Sequence, residues 1–183
     1  GEALTLCKPF KSLKADIEKA SNIIENIEQE ERNTEILQNA IEERNKEVLS
    51  SGIIDVCESY TKCNEMVRNA NYIISQMDKG DELFKELLDS SDVNEFNKFK
   101  DSFKNIYNAK QLNEMKDEWN TKRKDELQSN IGNKLSNEDI NGSEITFSTI
   151  NEYLENMIIS KEDIGLLNDI EMYKKLVTEK SIA

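Results

Sequence analysis

The sequence predicts an all-α fold, a helical bundle of about six to eight helices, and three observations carry that prediction. Residues that end helices and build tight turns are scarce, with one Pro and six Gly in 183 residues. Apolar residues recur at steps of three and four rather than two, the repeat of a helix face. Val is sparse beside Ile and Leu, which argues against strands. Regular apolar seams also set the chain apart from a disordered polypeptide, although 33% of its residues are charged. A chain of this length can hide roughly 70% of its unfolded surface. One domain spanning residues 1–183 is therefore expected, with sub-lobes 1–90 and 91–183 as the alternative.

The first helix is read from Pro9, whose missing N–H costs nothing at a first helical position. Its stripe is Phe10, Leu13, Ile17, Ala20, Ile24 and Ile27. The stripe turns polar over "EQEERNTE", Glu28 to Glu35, and a second apolar run leads to Leu49. A fold-back at Asn33 and Thr34, with Thr34 as cap, is preferred to one long rod. "SSG", Ser50 to Gly52, breaks the pattern. Ile53, Val56, Tyr60, Cys63, Val67, Ala70, Ile74 and Met77 then form the most regular seam, which Gly80 is expected to stop.

Asp81 is a candidate cap for a short helix with Leu83, Phe84, Leu87 and Leu88. Asp92 is the candidate cap of the next, with Val93, Phe96, Phe99, Phe103 and Ile106 inward. The pattern continues through Leu112, Met115, Trp119 and Leu127 to Ile131, with a slip of phase between Asn108 and Gln111 and a stop at Gly132. "LSNEDINGSEITFS", Leu135 to Ser148, is the least helical stretch. Beyond it Ile150, Tyr153, Leu154, Met157 and Ile158 share a face. "SKED", Ser160 to Asp163, resembles a capping box and opens a last helix carrying Ile164, Leu167, Ile170, Tyr173 and Val177.

Cysteine is limited to Cys7, Cys57 and Cys63. Six residues along an intact helix rise roughly 9 Å and turn the side chains about 120° apart, which keeps Cys57 from bonding Cys63. An up-down-up run of the first three helices brings Cys7 near Cys57. Cys7 to Cys57 is then the first disulfide candidate, Cys7 to Cys63 the second, and three reduced thiols the competing state. A bond from Cys7 closes a loop of about fifty residues, worth about 3–4 kcal/mol.

Histidine is absent, which removes the usual proton shuttle and the commonest metal ligand. Each Gly stands alone, so there is no phosphate-cradling loop. A non-enzyme without cofactor is expected. Thirty-seven acidic against twenty-four basic residues give a net charge of -13, which disfavours nucleic acid and anionic lipid as partners. No apolar run suits a membrane span. Asn137, Asp139, Asn141, Gly142 and Ser143 fall at EF-hand positions, but Glu144 and Ser148 stand where an apolar residue and a bidentate Glu belong. An inter-helix turn is the preferred reading, and calcium the lesser one. Asn141 also begins the sole N-glycosylation sequon.

Residues 98–124 hold eight Lys or Arg against four acids, whereas 125–171 hold two against eleven. The basic stretch supplies the interaction-surface candidates Lys98, Lys100, Lys104, Tyr107 and Lys110, followed by Lys116, Trp119, Lys122, Arg123 and Lys124. For Trp119 core packing is preferred to the interface role.

The start "GEALTLCKPF", with no initiator Met and no basic leader, reads as a processed terminus or a cut boundary. Together with sparse cysteines, Pro-poor helices and a bias to Asn, Lys, Ile and Glu, it resembles secreted helical salivary proteins of blood-feeding mosquitoes. The resemblance implies a secreted, host-directed effector that binds a protein or receptor, with immune or haemostatic cells as its targets. No residue roles carry across. The rival expectation is a cytoplasmic scaffold or coiled-coil subunit whose seams at Phe10–Ile27 and Ile53–Met77 pair with another chain. The sequence leaves the oligomeric state open.

Overall fold

The computed structural model describes the backbone of residues 2–137 and 147–182, with side chains there except those of residues 2–9, Lys11, Asn137 and Ile182. The fold is all-α, with no strand among the described residues. The chain divides into two compact units, Gly1–Gly80 and Asp81–Ala183.

In the first unit α1 spans Glu2–Glu42, so it starts upstream of Pro9 and does not fold back at Asn33. The predicted cap is occupied within the helix: the Thr34 hydroxyl donates to the Glu30 carbonyl at 2.6 Å. With no Gly nearby, the chain turns only after Glu42. There the Asn45 N–H reaches the Ala40 carbonyl at 2.9 Å and the Arg44 N–H the Ile41 carbonyl at 3.3 Å. This is a Schellman turn whose left-handed residue is Arg44, at φ 56°.

A short α2, Lys46–Val48, is capped by Asn45, whose side-chain oxygen accepts the Val48 N–H at 3.1 Å. A π turn, Leu49–Ile53, follows, and it is a kink rather than a helix because Gly52 stands at the non-helical φ 93° and ψ -1°. The break read at "SSG" is therefore present, built on a conformation that costs any residue with a Cβ. A Cβ at Gly52 meets no atom within 4 Å. Gly52→Ala should accordingly cost about 1–2 kcal/mol through the backbone alone, seen as a lower urea midpoint. An unchanged midpoint would show that this φ is not required.

The third seam is not one helix. After α3, Ile54–Glu58, Tyr60 is extended at φ -98° and ψ 110°, and a 3₁₀ turn at Thr61–Cys63 leads into α4, Asn64–Leu87. The Tyr60 N–H bonds the Cys57 carbonyl at 3.0 Å, and the Cys63 N–H bonds the Tyr60 carbonyl at 2.8 Å. The Tyr60 hydroxyl is held by the Asn33 Nδ2 at 2.9 Å, and the Asn33 Oδ1 accepts from Gln29 at 2.9 Å. A buried amide on α1 thus stabilises the break. Val56 is consequently exposed, whereas Ile54, Cys57, Cys63, Val67, Ala70, Ile73 and Met77 are buried. The C-terminal part of α1, with Leu37, Ala40 and Ile41 buried, packs on α3 and the π turn.

Gly80 does not stop α4. It lies buried inside the helix, which runs on to Leu87. Asp81 therefore caps nothing and instead accepts the Tyr107 hydroxyl at 2.6 Å.

In the second unit α5 spans Val93–Phe103, and the Asp92 carboxylate caps it by accepting the Asn94 N–H at 2.8 Å. Phe96, Phe99 and Phe103 are buried, as the sequence predicts. The phase slip at Asn108 is the start of α6, Ala109–Asn137, where Asn108 and Gln111 exchange backbone-to-side-chain bonds of 2.9 Å. Gly132 is a helical residue rather than a stop.

The last helices are α7, Phe147–Glu155, and α8, Ile164–Ile182, and α6 packs on α8. A second Schellman turn ends α7, with the Ile158 N–H on the Tyr153 carbonyl at 3.0 Å and Met157 at φ 57°. Met157, read as inward, is therefore 77% exposed. "SKED" forms half of its box just ahead of α8: the Ser160 N–H donates to the Asp163 carboxylate at 2.8 Å, while the Ser160 hydroxyl accepts the Glu162 N–H at 3.3 Å. The bond from the Ser160 N–H, aided by Lys124, holds the Asp163 carboxyl below its usual range. Residues 138–146 of the calcium-loop segment, Asn141 among them, lie outside the described residues.

Candidate functional site

The aromatic members of the basic stretch are core. Trp119 is 1% exposed, and its Nε1 donates to the carbonyls of Leu87 at 3.2 Å and Ser90 at 3.1 Å. It thereby ties the end of α4 to the turn that follows, where the Leu87 carbonyl also accepts the Ser90 N–H at 3.0 Å. Its ring lies 5.7 Å from that of Phe96, in a cluster that continues through Phe99, Phe84, Phe103 and Tyr107.

Arg123 is 2% exposed. Its guanidinium sits 5.7 Å from the Trp119 centroid, pairs with Glu126 at 3.2 Å and donates to the Leu88 carbonyl. These contacts offset the cost of burying the charge. Tyr107, Trp119 and Arg123 are therefore removed from the predicted surface.

The lysines divide. Lys110 pairs with Glu114 at 3.7 Å, Lys122 with Asp89 at 2.7 Å, and Lys124 with Asp163 at 3.1 Å. Lys98, Lys100, Lys104 and Lys116 are exposed. The stretch thus keeps lysines at its surface but loses the aromatic anchor that would organise a contact around them.

The concave features of this unit are small. A groove lined by Leu83, Leu87, Phe99 and Phe103 holds about 280 Å³, and a more polar one beside Lys124, Asp163 and Gly165 about 320 Å³. Both sit at the low end for small-molecule sites. Among the described residues no group of three Cys, Asp or Glu is placed to hold a metal ion. No helix among them is long and apolar enough to cross a membrane.

The cysteines fall differently from the sequence expectation. The side chain of Cys7 lies outside the described residues, and its backbone belongs to α1. Cys57 donates to the Asn33 carbonyl at 3.6 Å, and the helix rises roughly 39 Å between residues 7 and 33. Neither Cys7 to Cys57 nor Cys7 to Cys63 fits that geometry within one chain, because α1 is one rod and no up-down-up arrangement returns Cys7 to the break. Cys57 and Cys63 instead meet consecutive residues of α1, Asn33 and Thr34, because the helix between them is interrupted. Both are free and 0% exposed.

The strongest surface feature was legible as a stripe, the seam that the scaffold expectation pairs with another chain. Along α1, Phe10 is 78% exposed, and Leu13, Ile17, Ile23, Ile24 and Ile27 are each at least half exposed. Among the described side chains of this helix the first buried one is Asn33. The stripe steps 3, 4, 3, 4, 3 from Phe10 to Ile27, the a and d positions of a heptad repeat. Residues 10–27 also balance three lysines (Lys11, Lys14, Lys19) against three acids (Asp16, Glu18, Glu25), a neutral segment in a chain of net charge -13. No family model, curated protein or solved structure matches this chain.

Proposed function

We propose that this chain is a non-enzymatic helical interaction protein that works by pairing α1 with an amphipathic helix of another polypeptide, a second copy of itself being the partner. The observation that carries this reading is the exposed heptad seam from Phe10 to Ile27. A strict 3.5-residue repeat suits a supercoiled helix partner, whereas packing within a globule uses a wider stripe. Large side chains left half in water favour association, because covering them removes apolar surface from solvent. The repeat is complementary to itself, and charge neutrality lets two copies approach there without the repulsion carried elsewhere.

Sedimentation of the full chain tests the pairing. The protein should move from monomer to dimer as concentration rises through the micromolar range. An Ile17→Lys, Ile24→Lys variant should remain monomeric, with the melting temperature of the wild-type chain at high dilution. A wild-type chain that stays monomeric at the highest concentration reached, or a variant that dimerises equally well, would remove the reading.

A second reading follows the resemblance to salivary effectors: a secreted chain that binds a host protein or receptor through its exposed lysines. Lys98, Lys100, Lys104 and Lys116 support it by their exposure. It depends on those charges, so unchanged binding to host cells by a variant with all four replaced by Glu would discard it.

A further inference from the structure

We propose that Cys57 and Cys63 form an intramolecular disulfide when the chain meets an oxidising small-molecule disulfide, making the break at Tyr60 a covalent staple site. Glu58 ends α3, Tyr60 is extended, and the 3₁₀ turn returns Cys63 to the same part of α1 that Cys57 touches. The two sulfurs contact consecutive residues there: Cys57 Sγ lies 3.6 Å from the Asn33 carbonyl, and Cys63 Sγ lies 3.3 Å from the Thr34 hydroxyl. Contact with consecutive residues of α1 brings the two thiols to the same stretch of that helix, an approach that an unbroken helix would deny.

The chemistry balances with glutathione disulfide as oxidant. One cysteine thiolate attacks the small disulfide, forming a mixed disulfide and releasing one glutathione. The second thiolate then displaces the other glutathione and closes the protein S–S bond. Two protons and two electrons pass from the thiol pair to the oxidant, which leaves as two thiols. Burial, together with the neighbouring Cys63, pushes the Cys57 thiol up to about 11. Catalytic dithiols need a lowered thiol, so this pair suits a bond made slowly and kept. Both sulfurs are 0% exposed, and oxidation therefore proceeds through local opening. Ser59, Thr61 and Lys62, which lie exposed between them, are where that opening begins.

The test uses the full chain carrying Cys7→Ser, so that Cys57 and Cys63 are the remaining thiols. After incubation with glutathione disulfide, free thiols are alkylated, and the protein is denatured and cut with trypsin, which cleaves after Lys62. The expected product is a single species joining the Cys57 and Cys63 peptides that separates on reduction, from protein that stays monomeric on a non-reducing gel. The melting temperature should rise by about 5 °C on oxidation, because a loop of about seven residues is closed in the unfolded chain. That gain should vanish in a Cys57→Ser chain. Alkylation of both cysteines, glutathione retained on either, or bonds between chains would each overturn the proposal.

Discussion

Trp119→Ala is expected to cost the second unit about 3–5 kcal/mol, the largest loss among single substitutions in this chain. Three effects add. The indole is 1% exposed, so its removal leaves a cavity beside Phe96. Its N–H serves two carbonyls, of Leu87 and Ser90, at the point where α4 ends and the chain turns toward α5. Deletion leaves those acceptors without that donor. The guanidinium of Arg123 also rests on the ring, and without it a buried cation loses one of its supports. Trp119→Phe keeps most of the apolar volume and removes the donor, so it should cost about 1–2 kcal/mol. Urea unfolding of the two variants measures both values. A loss below about 1 kcal/mol for the alanine variant would mean that the indole is not the keystone of this core.

Leu37→Ala is the second, at about 2–5 kcal/mol. Leu37 is 0% exposed on the part of α1 that packs against α3 and the π turn. The comparison with Ile24→Ala on the same helix makes it informative. Ile24 is 56% exposed. Its truncation should change the folding free energy of dilute protein by no more than about 0.5 kcal/mol. Equal costs would mean that α1 is packed along its whole length, contrary to the burial that starts at Asn33.

Helix content was legible in the chain because the 3–4 spacing of apolar residues is a strong signal, and the Phe96, Phe99 and Phe103 face was correctly placed. Caps with a carboxylate at the right offset, Asp92 and Asp163, were also legible. Stops were not. Thr34 looked like a cap and bonds its own helix, while Gly80 and Gly132 looked like terminators and sit inside helices, where one glycine costs only about 1 kcal/mol. The real turns use Arg44 and Met157 in left-handed backbone, residues whose types give no warning. The interruption at Tyr60 depends on a bond to Asn33, which lies 27 positions away. Local pattern could not register it, and so Cys57 and Cys63 were set apart on a helix that does not exist.

The surface was harder to read for a related reason. Periodicity says which residues share a face and leaves open whether anything covers that face. Arg123, offered as surface from its basic neighbours, is buried by aromatic packing and a nearby carboxylate, while Trp119, a surface candidate for which core packing was preferred, is core. Phe10, Ile17 and Ile24, read as one stripe of a helix, face solvent because the rest of the first unit packs only on the later part of α1.

Amide hydrogen exchange followed against protein concentration addresses the seam most directly. The account predicts that protection over residues 10–27 climbs with concentration as two copies cover the stripe, while protection around Leu37, Ala40 and Ile41 stays constant. Protection over residues 10–27 that is the same in dilute and concentrated protein would contradict it.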